Sequence, residues 1–427
     1  MNRVIFKSSD VETSSLRGSA VLPLVAGRSG RSAPFSSDFF RLNGLHFWLA
    51  LSCLVIFQAG SSFGAEYLPP ALTTDGFSIP QPNRQFAFPR DHGSHPEFKI
   101  EWWYVTGHLW AEQGRRFGFQ ATFFRRSGAA TVAETNFADG STLFQTGPVH
   151  LAHMAILDVA SGRFLHQERL NRQGWDTEAS TNTLSMRNGN WSLRFADENV
   201  RTMVLRGGVR SDAAFELTLT PVKPLVIFGE SGVSRKGSSP SASSHYLTFS
   251  RLAAQGFLKF AGSSVAVQGT AWMDHEISSS QLEEGQSGWD WAGVQLKDGR
   301  EIMTYRLRRK DGSTDPFSTL AWVDKEGRVS HRSATQFEWK STGTWKSSKT
   351  GAVYPVRSRL ATIDPLSGKS VAFVFEPLAL NQELTGELGG VAYWEGASRV
   401  RNEAGEEIGS AFVELTGYAG NLADRFK

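Results

Sequence analysis

The chain has 427 residues, 40% hydrophobic and 20% charged, enough apolar material for packed cores in more than one domain and too much for a disordered chain. Its 45 basic and 42 acidic residues leave a formal net charge of +3, a balance that excludes a nucleic-acid binder or a protein held by charge on an anionic membrane. The single cysteine, Cys53, excludes an intrachain disulfide and a thiolate metal cluster, while 13 Trp and 30 Phe favour strands and large buried aromatic surface.

Residues 1–65 read as a leader with a signal peptide. Phe47 to Gly60, FWLALSCLVIFQAG, carries no charge; it is short for a bilayer span but suits a signal-peptide core. Ser62-Phe63-Gly64 supplies a small-x-small cleavage site, so the expectation is export to the periplasm or the medium. An uncleaved N-terminal membrane anchor is the alternative. Cleavage removes Cys53 and leaves a mature chain suited to an oxidising compartment. Gly60-Ser61-Ser62-Phe63-Gly64 matches the G-x-S-x-G nucleophile elbow. It falls at the cleavage site, without a strand before it or a helix after it, and is read as chance.

Residues 66–97 form a Pro-rich lead, with Pro69-Pro70, Pro80, Pro82 and Pro89, expected to be extended and on the surface. From Phe98 the texture becomes period-two alternation, in Glu101–Leu109, Arg116–Phe124, Leu151–Val159, Trp191–Phe195, Phe215–Thr220 and His245–Leu252. Turn signals punctuate it, at Ala138-Asp139-Gly140 and Arg187-Asn188-Gly189-Asn190. Gly229 to Ser244, rich in Ser, Gly and Lys, reads as a mobile loop, and Ser250–Gln255 as a short helical candidate. A second strand series begins at Gln268–Met273 and continues through Trp289–Leu296, Arg300–Arg308, Thr319–Val323, Thr335–Trp339, Arg357–Ile363, Val371–Pro377, Gly389–Glu395 and Glu407–Tyr418. Asp298-Gly299 and Asp311-Gly312 are hairpin signals. Short alternating strands separated by turns specify an all-β chain of antiparallel meanders, divided near Ile277 into domains of residues 98–277 and 278–427.

Several motifs occur in order: Glu101-Trp102-Trp103-Tyr104-Val105-Thr106-Gly107, Phe117-Gly118-Phe119-Gln120, His150-Leu151-Ala152-His153, Tyr246 with Ser250-Arg251-Leu252, Trp272-Met273-Asp274-His275-Glu276, Trp289-Asp290-Trp291, Tyr393-Trp394-Glu395-Gly396 and Glu414-Leu415-Thr416-Gly417-Tyr418. Together they resemble the AttH/carotenoid 1,2-hydratase-like (CrtC-like) proteins, also labelled predicted secreted hydrolases, from Glu101 to Tyr418. The resemblance implies two lipocalin-like (calycin-type) antiparallel β-barrel domains packed side by side. It also implies a lyase acting on an apolar polyene or terpenoid, or an uncharacterised relative; related fungal proteins are cyclases. The chain departs from the hydratase branch at Ile277, where another aromatic is usual, and around Tyr305, where the nearest acid is Glu301.

Hydrating or cyclising an alkene needs an acid that protonates carbon and a surface that stabilises a cation. A carboxyl raised by an apolar pocket supplies the first and aromatic faces the second. Residues i and i+2 of a strand share a face, so Trp272, Asp274 and Glu276 would stand together, with His275 pointing away or at a strand end accessible from both sides. Asp274, His275 and Glu276 are therefore the catalytic candidates; the competing reading is a buried polar knot tying the domains together. Glu101 and Trp103 share one face of their strand, Trp102 and Tyr104 the other. Candidate ligand-binding residues are Glu101, Trp102, Tyr104, Tyr246, Trp272, Trp289, Trp291, Tyr305 and Tyr393, although for any one tyrosine simple core packing competes. His150 and His153, three apart, point to opposite faces and cannot share a metal without a bulge. No dinucleotide fingerprint, P-loop or metal set is present in a supporting context, so neither an organic cofactor nor a metal is indicated. The expected partner is an apolar small molecule, compatible with transient membrane association; substrate identity and oligomeric state stay open. Three functions compete: a cofactor-independent acid/base lyase, a carrier of a lipid or terpenoid, and a secreted hydrolase using carboxylate-activated water.

Overall fold

A computed structural model of the chain describes residues 68–128, 147–197 and 201–420. The expected signal peptide, Cys53, the G-x-S-x-G match and the Asp139-Gly140 turn lie outside the described residues. Among the described residues no helix is long and apolar enough to cross a membrane.

Two antiparallel sheets account for almost all regular structure. The first runs, in spatial order, through Arg163–Arg172, Val149–Asp158, Arg116–Arg126, Ile100–Ala111, Ser263–Ser280, Ser243–Phe260, Ala213–Pro221, Met203–Val209, Trp191–Phe195, Ser185–Asn188 and Thr177–Ala179. It curls into a nearly closed barrel whose ends are drawn together by side chains. Asn171 donates to Asn188 at 2.6 Å, and Arg169 lies over the Trp191 ring at 3.9 Å. The second sheet runs through Val329–Ser333, Thr319–Val323, Glu301–Arg309, Gln286–Leu296, Glu407–Leu415, Tyr393–Arg401, Ser370–Pro377, Val353–Ile363 and Phe337–Lys346. The expected lipocalin-like pair of sheets is thus present. Gly189, Gly299 and Gly312 all adopt positive φ at their turns, which glycine allows without a Cβ clash.

Each sheet has its own core, and a third apolar cluster fills the space between them. Trp103, Val105, Leu109, Phe123 and Met273 point into the first barrel. Ala292, Val294, Leu296, Trp394 and Val413 point into the second. The intervening residues Tyr104, Trp272, Trp291, Tyr305 and Phe412 meet between the sheets. Strand Ile100–Ala111 and the Ala271–Ser279 part of Ser263–Ser280 are therefore buried on both faces, and their alternation sorts side chains between a private core and a shared interface. The interface is close: a Cβ on Gly118 would stand 2.6 Å from that of Ala397. Polar ties cross it as well. Gln295 donates to the carbonyls of Ser250 (2.8 Å) and Ala271 (2.9 Å), and Lys223 and Arg251 of the first half reach Glu301 of the second at 2.5 and 2.6 Å.

Three expectations change. Ser250–Gln255 is not helical but lies inside the long strand Ser243–Phe260, paired on both sides. The passage between sheets comes after Ser280 rather than at Ile277, because that strand stays paired with Ile100–Ala111 through Ser278. The Pro-rich lead is a surface extension only up to Gly76. Phe77 and Ile79 are buried, and a 3-10 turn at Arg90–His92 carries Asp91 inward. Its prolines set a path; what anchors it is charge. Glu101 Oε1 lies 2.8 Å from His95 Nδ1 and 2.9 Å from His275 Nε2, and Arg125 Nε is 3.1 Å from Oε2. His95 Nε2 is in turn 2.9 Å from Asp91.

Burial alone would raise the Glu101 carboxyl, but hydrogen bonds from His275 and His95 and the charge of Arg125 outweigh it and hold the group well below the ordinary glutamate range. Removing one member of such a buried cluster leaves the others uncompensated. Glu101→Ala should cost about 3–5 kcal/mol of stability in urea denaturation. A carboxyl depressed by folding contributes stability above its unfolded pKa and loses it as pH falls through the folded value. The parent should therefore lose stability below about pH 4.5, and Glu101→Gln should lack that part of the acid limb.

Candidate functional site

A cavity of about 410 Å³ opens between the sheets. Its walls are cross-strand ladders. On the first sheet, Tyr246, Glu276, Trp102, Phe124 and Leu151 stand abreast on five neighbouring strands; two residues further along, Thr248, Asp274, Tyr104, Thr122 and His153 form a second row. Facing them, Tyr305, Trp291 and Glu414 are register partners on the second sheet, and Glu395 continues the row behind the lining. Leu170 and Leu388, both exposed, belong to the rim.

Of the residues singled out from sequence, Trp102, Tyr104, Tyr246, Asp274, Glu276, Trp289, Trp291, Tyr305 and Tyr393 line this one cavity. Three do not. Glu101 and His275 lie on the opposite face of their strands, because alternation turns them toward the lead, where Trp103 stacks on His275 at 4.7 Å. Trp272 shares the Asp274 face but sits deeper, where Gly293 lets the second sheet close over it; its indole donates to Asp274 Oδ1 at 2.7 Å. His153 lines the cavity, whereas His150 stands in the Arg125 row of the other face. Residues unforeseen in sequence complete the wall. Glu414 is one, its chemistry hidden in an apolar strand. Lys236 is another: it comes from the segment read as a mobile loop, which instead forms the short strand Ser234–Arg235 and buries Lys236.

Asp274 is the most elaborately held group. Thr248 and Trp272 donate to Oδ1 at 2.6 and 2.7 Å, and Tyr246 donates to Oδ2 at 2.7 Å. Oδ2 therefore keeps room for a proton. Trp291 in turn donates to the Tyr246 hydroxyl at 2.9 Å. Burial pushes the Asp274 carboxyl up to about 7, against the pull of its three donors. Glu414 is pushed up to about 8 by burial, and the nearby charges of Glu276 and Asp274 add to this, while its bond to Trp289 works the other way. Glu395, bonded to the Tyr104 hydroxyl, is raised well above the glutamate range by burial and by Glu414 directly across the ladder. Burial and the same carboxylates raise the hydroxyls of Tyr104, Tyr246 and Tyr393, which stay protonated. Glu276 differs: it accepts from Ser244 at 2.5 Å and pairs with Lys236 at 3.3 Å. Lys236 lies over the Tyr305 and Tyr246 rings, at 3.9 and 4.8 Å. The wall thus combines protonated carboxyls, one ion-paired carboxylate and aromatic faces.

His95, Glu101 and His275 bring three ligand-type atoms together. Their N···O distances of 2.8 and 2.9 Å, with Arg125 on the same carboxylate, are those of hydrogen bonds, and the cluster faces away from the cavity.

Carboxyls raised by folding stabilise the chain while protonated and lose that contribution as pH rises through the folded value. The parent should therefore become less stable as pH climbs from about 5, through Asp274 until about 7 and through Glu414 until about 8, each by up to about 1.4 kcal/mol per pH unit. Asp274→Asn with Glu414→Gln should flatten that fall, seen as a Tm difference from the parent that grows with pH.

The sequence matches the AttH-like family over residues 79–418. Comparison with curated protein sequences gives no match. Among solved structures, an AttH protein of Nitrosomonas europaea is 33% identical, with a TM-score of 0.68, covering 79% of this chain and 98% of its own. Kievitone hydratase of Nectria haematococca shares the fold at 14% identity and a TM-score of 0.59, over 83% of this chain and 98% of its own. The chain belongs to the AttH-like family.

Proposed function

We propose that the chain is a cofactor-independent acid/base lyase of the hydratase or cyclase type, acting on an apolar small molecule held between the sheets. The observation that carries this is the pair of carboxyls, Asp274 from one sheet and Glu414 from the other, set in one aromatic wall, where burial pushes them up to about 7 and about 8. A carboxylic acid in such surroundings can protonate an alkene carbon. The Trp102, Tyr104, Trp289 and Trp291 rings, all in the wall, stabilise the resulting cation by their π faces. In hydration, a water oxygen bonds to the cationic carbon and loses a proton to Glu276, two residues from Asp274 on the same face. Asp274 recovers its proton from the neighbouring carboxyl, and the net change is addition of water. In cyclisation the cation is closed by a second double bond, and the same base removes a proton. The fold is shared with an enzyme named as a hydratase, which supports the frame for such chemistry and says nothing of this chain's substrate. Export is proposed from the uncharged run at Phe47–Gly60 alone.

The experiment is incubation with a panel of terpenoid and polyene alkenes, followed by mass spectrometry for products heavier by one water or isomeric with the substrate. Asp274→Asn should lower kcat at least about a hundredfold while ligand uptake persists. Parent activity should fall as pH rises past about 7, because the acid form is lost. Undiminished turnover by Asp274→Asn would remove the proposed acid. Uptake without turnover by the parent would favour a carrier.

A further inference from the structure

We propose that the cavity takes an oxygenated ligand, an apolar body bearing hydrogen-bond-accepting oxygens at two separated positions, in preference to a plain hydrocarbon. This rests on the cavity being the ligand site, as in the proposed function, and deepens it by naming a substrate class.

The first position is at His153. Its Nδ1 lies 2.7 Å from the Tyr393 hydroxyl, and that hydroxyl already accepts a hydrogen bond from Gln120 Nε2 at 3.4 Å. Among the described residues the Tyr393 proton has no acceptor other than His153 Nδ1, so Tyr393 donates there. The neutral ring then carries its hydrogen on Nε2. Burial keeps the ring neutral, pushed down to about 4. Nε2 is buried, on a cavity-lining side chain, and has no hydrogen-bond partner among the described residues. A buried donor left in that state is costly, and native structures rarely tolerate it without a ligand or ordered water. An oxygen acceptor on the ligand satisfies it.

The second position is at the Lys236 and Gln281 side. Both side chains are buried and line the cavity. Gln281 Nε2 has no hydrogen-bond partner among the described residues. Lys236 pairs with Glu276 and also bonds Tyr305, which leaves one of the ammonium's three donors. The ammonium can only donate to a ligand there, and the unpartnered atom of Gln281 is its Nε2 donor. Strand Val149–Asp158, which holds His153, is three strands away from Ser263–Ser280, which holds Glu276. At about 4.8 Å per strand the two positions are roughly 14 Å apart across the sheet. The wall between them is aromatic: Trp102 and Phe124 on the first sheet. A hydrocarbon fills that middle but leaves both donor ends unmet, and a site built to bond an oxygen discriminates against the analogue that lacks it.

The test is isothermal titration calorimetry of the full chain with biphenyl, 4-phenylphenol and 4,4′-biphenol, which share a rigid apolar body and carry no, one and two oxygens. Each oxygen should tighten binding at least about tenfold. His153→Phe should abolish one step; His153→Gln, which retains a donor, should restore most of it. Gln281→Leu should abolish the other step. Equal affinities for the three probes, or a full oxygen preference surviving both His153→Phe and Gln281→Leu, would overturn the proposal. Binding by none of the three would overturn it together with the ligand-site reading. The readout is independent of turnover: Asp274→Asn should keep the oxygen preference, so failure of the catalytic assignment alone leaves this result intact.

Discussion

Two paired strand segments, Ile100–Ala111 and the Ala271–Ser279 part of its neighbour, are buried on both faces, and that double burial organises the molecule. Successive side chains on a strand point to opposite sides, so each strand delivers alternate residues to two different environments. Trp103, Met273 and His275 go to the first barrel and its anchored lead; Trp102, Tyr104, Asp274 and Glu276 go to the space shared with the second sheet. A slip of one residue in this register would exchange the sets entirely. It would place the Glu101 cluster in the cavity and the acid Asp274 in the barrel core.

The two faces treat carboxylates in opposite ways, and burial is common to both. Glu101 is buried with compensation: two imidazoles and a guanidinium surround it, and ionisation is favoured. Asp274 accepts only neutral donors, a hydroxyl pair and an indole, and Glu414 likewise meets an indole. Neutral donors do not offset desolvation, so these groups hold protons near neutral pH. Glu395 and Glu414, opposite each other across one ladder, add like-charge repulsion to the same effect. Lys236 confines compensation to Glu276, which separates an ion-paired carboxylate from protonated ones within one wall.

Much of this was legible in the chain. Alternation and turn residues placed the strands, as at Asp298-Gly299 and Asp311-Gly312, because both signals are local. Spacing of two put Asp274 and Glu276 on one face and His275 on the other. It also separated His150 from His153. The strand at Ser250–Gln255 was not readable as such, since its conformation is held by pairing with Ala213–Pro221 and Ser263–Ser280, partners remote in sequence. The lead was misread for a similar reason: prolines describe local geometry, while Asp91 and His95 are drawn inward by Glu101 and His275, the latter from the far end of the domain.

By itself the sequence determined the strand content, the family pattern and the face on which each strand residue stands, because period two and turn chemistry are properties of a few neighbouring residues. It did not determine which face meets what. Only the packing of two sheets made the Trp102–Tyr104 face a cavity wall instead of a surface, brought Glu414 and Glu395 opposite Asp274, and buried Lys236 from an apparent loop. Those outcomes depend on desolvation, and desolvation is set by everything that closes around a group, including strands of the other sheet that are remote in sequence.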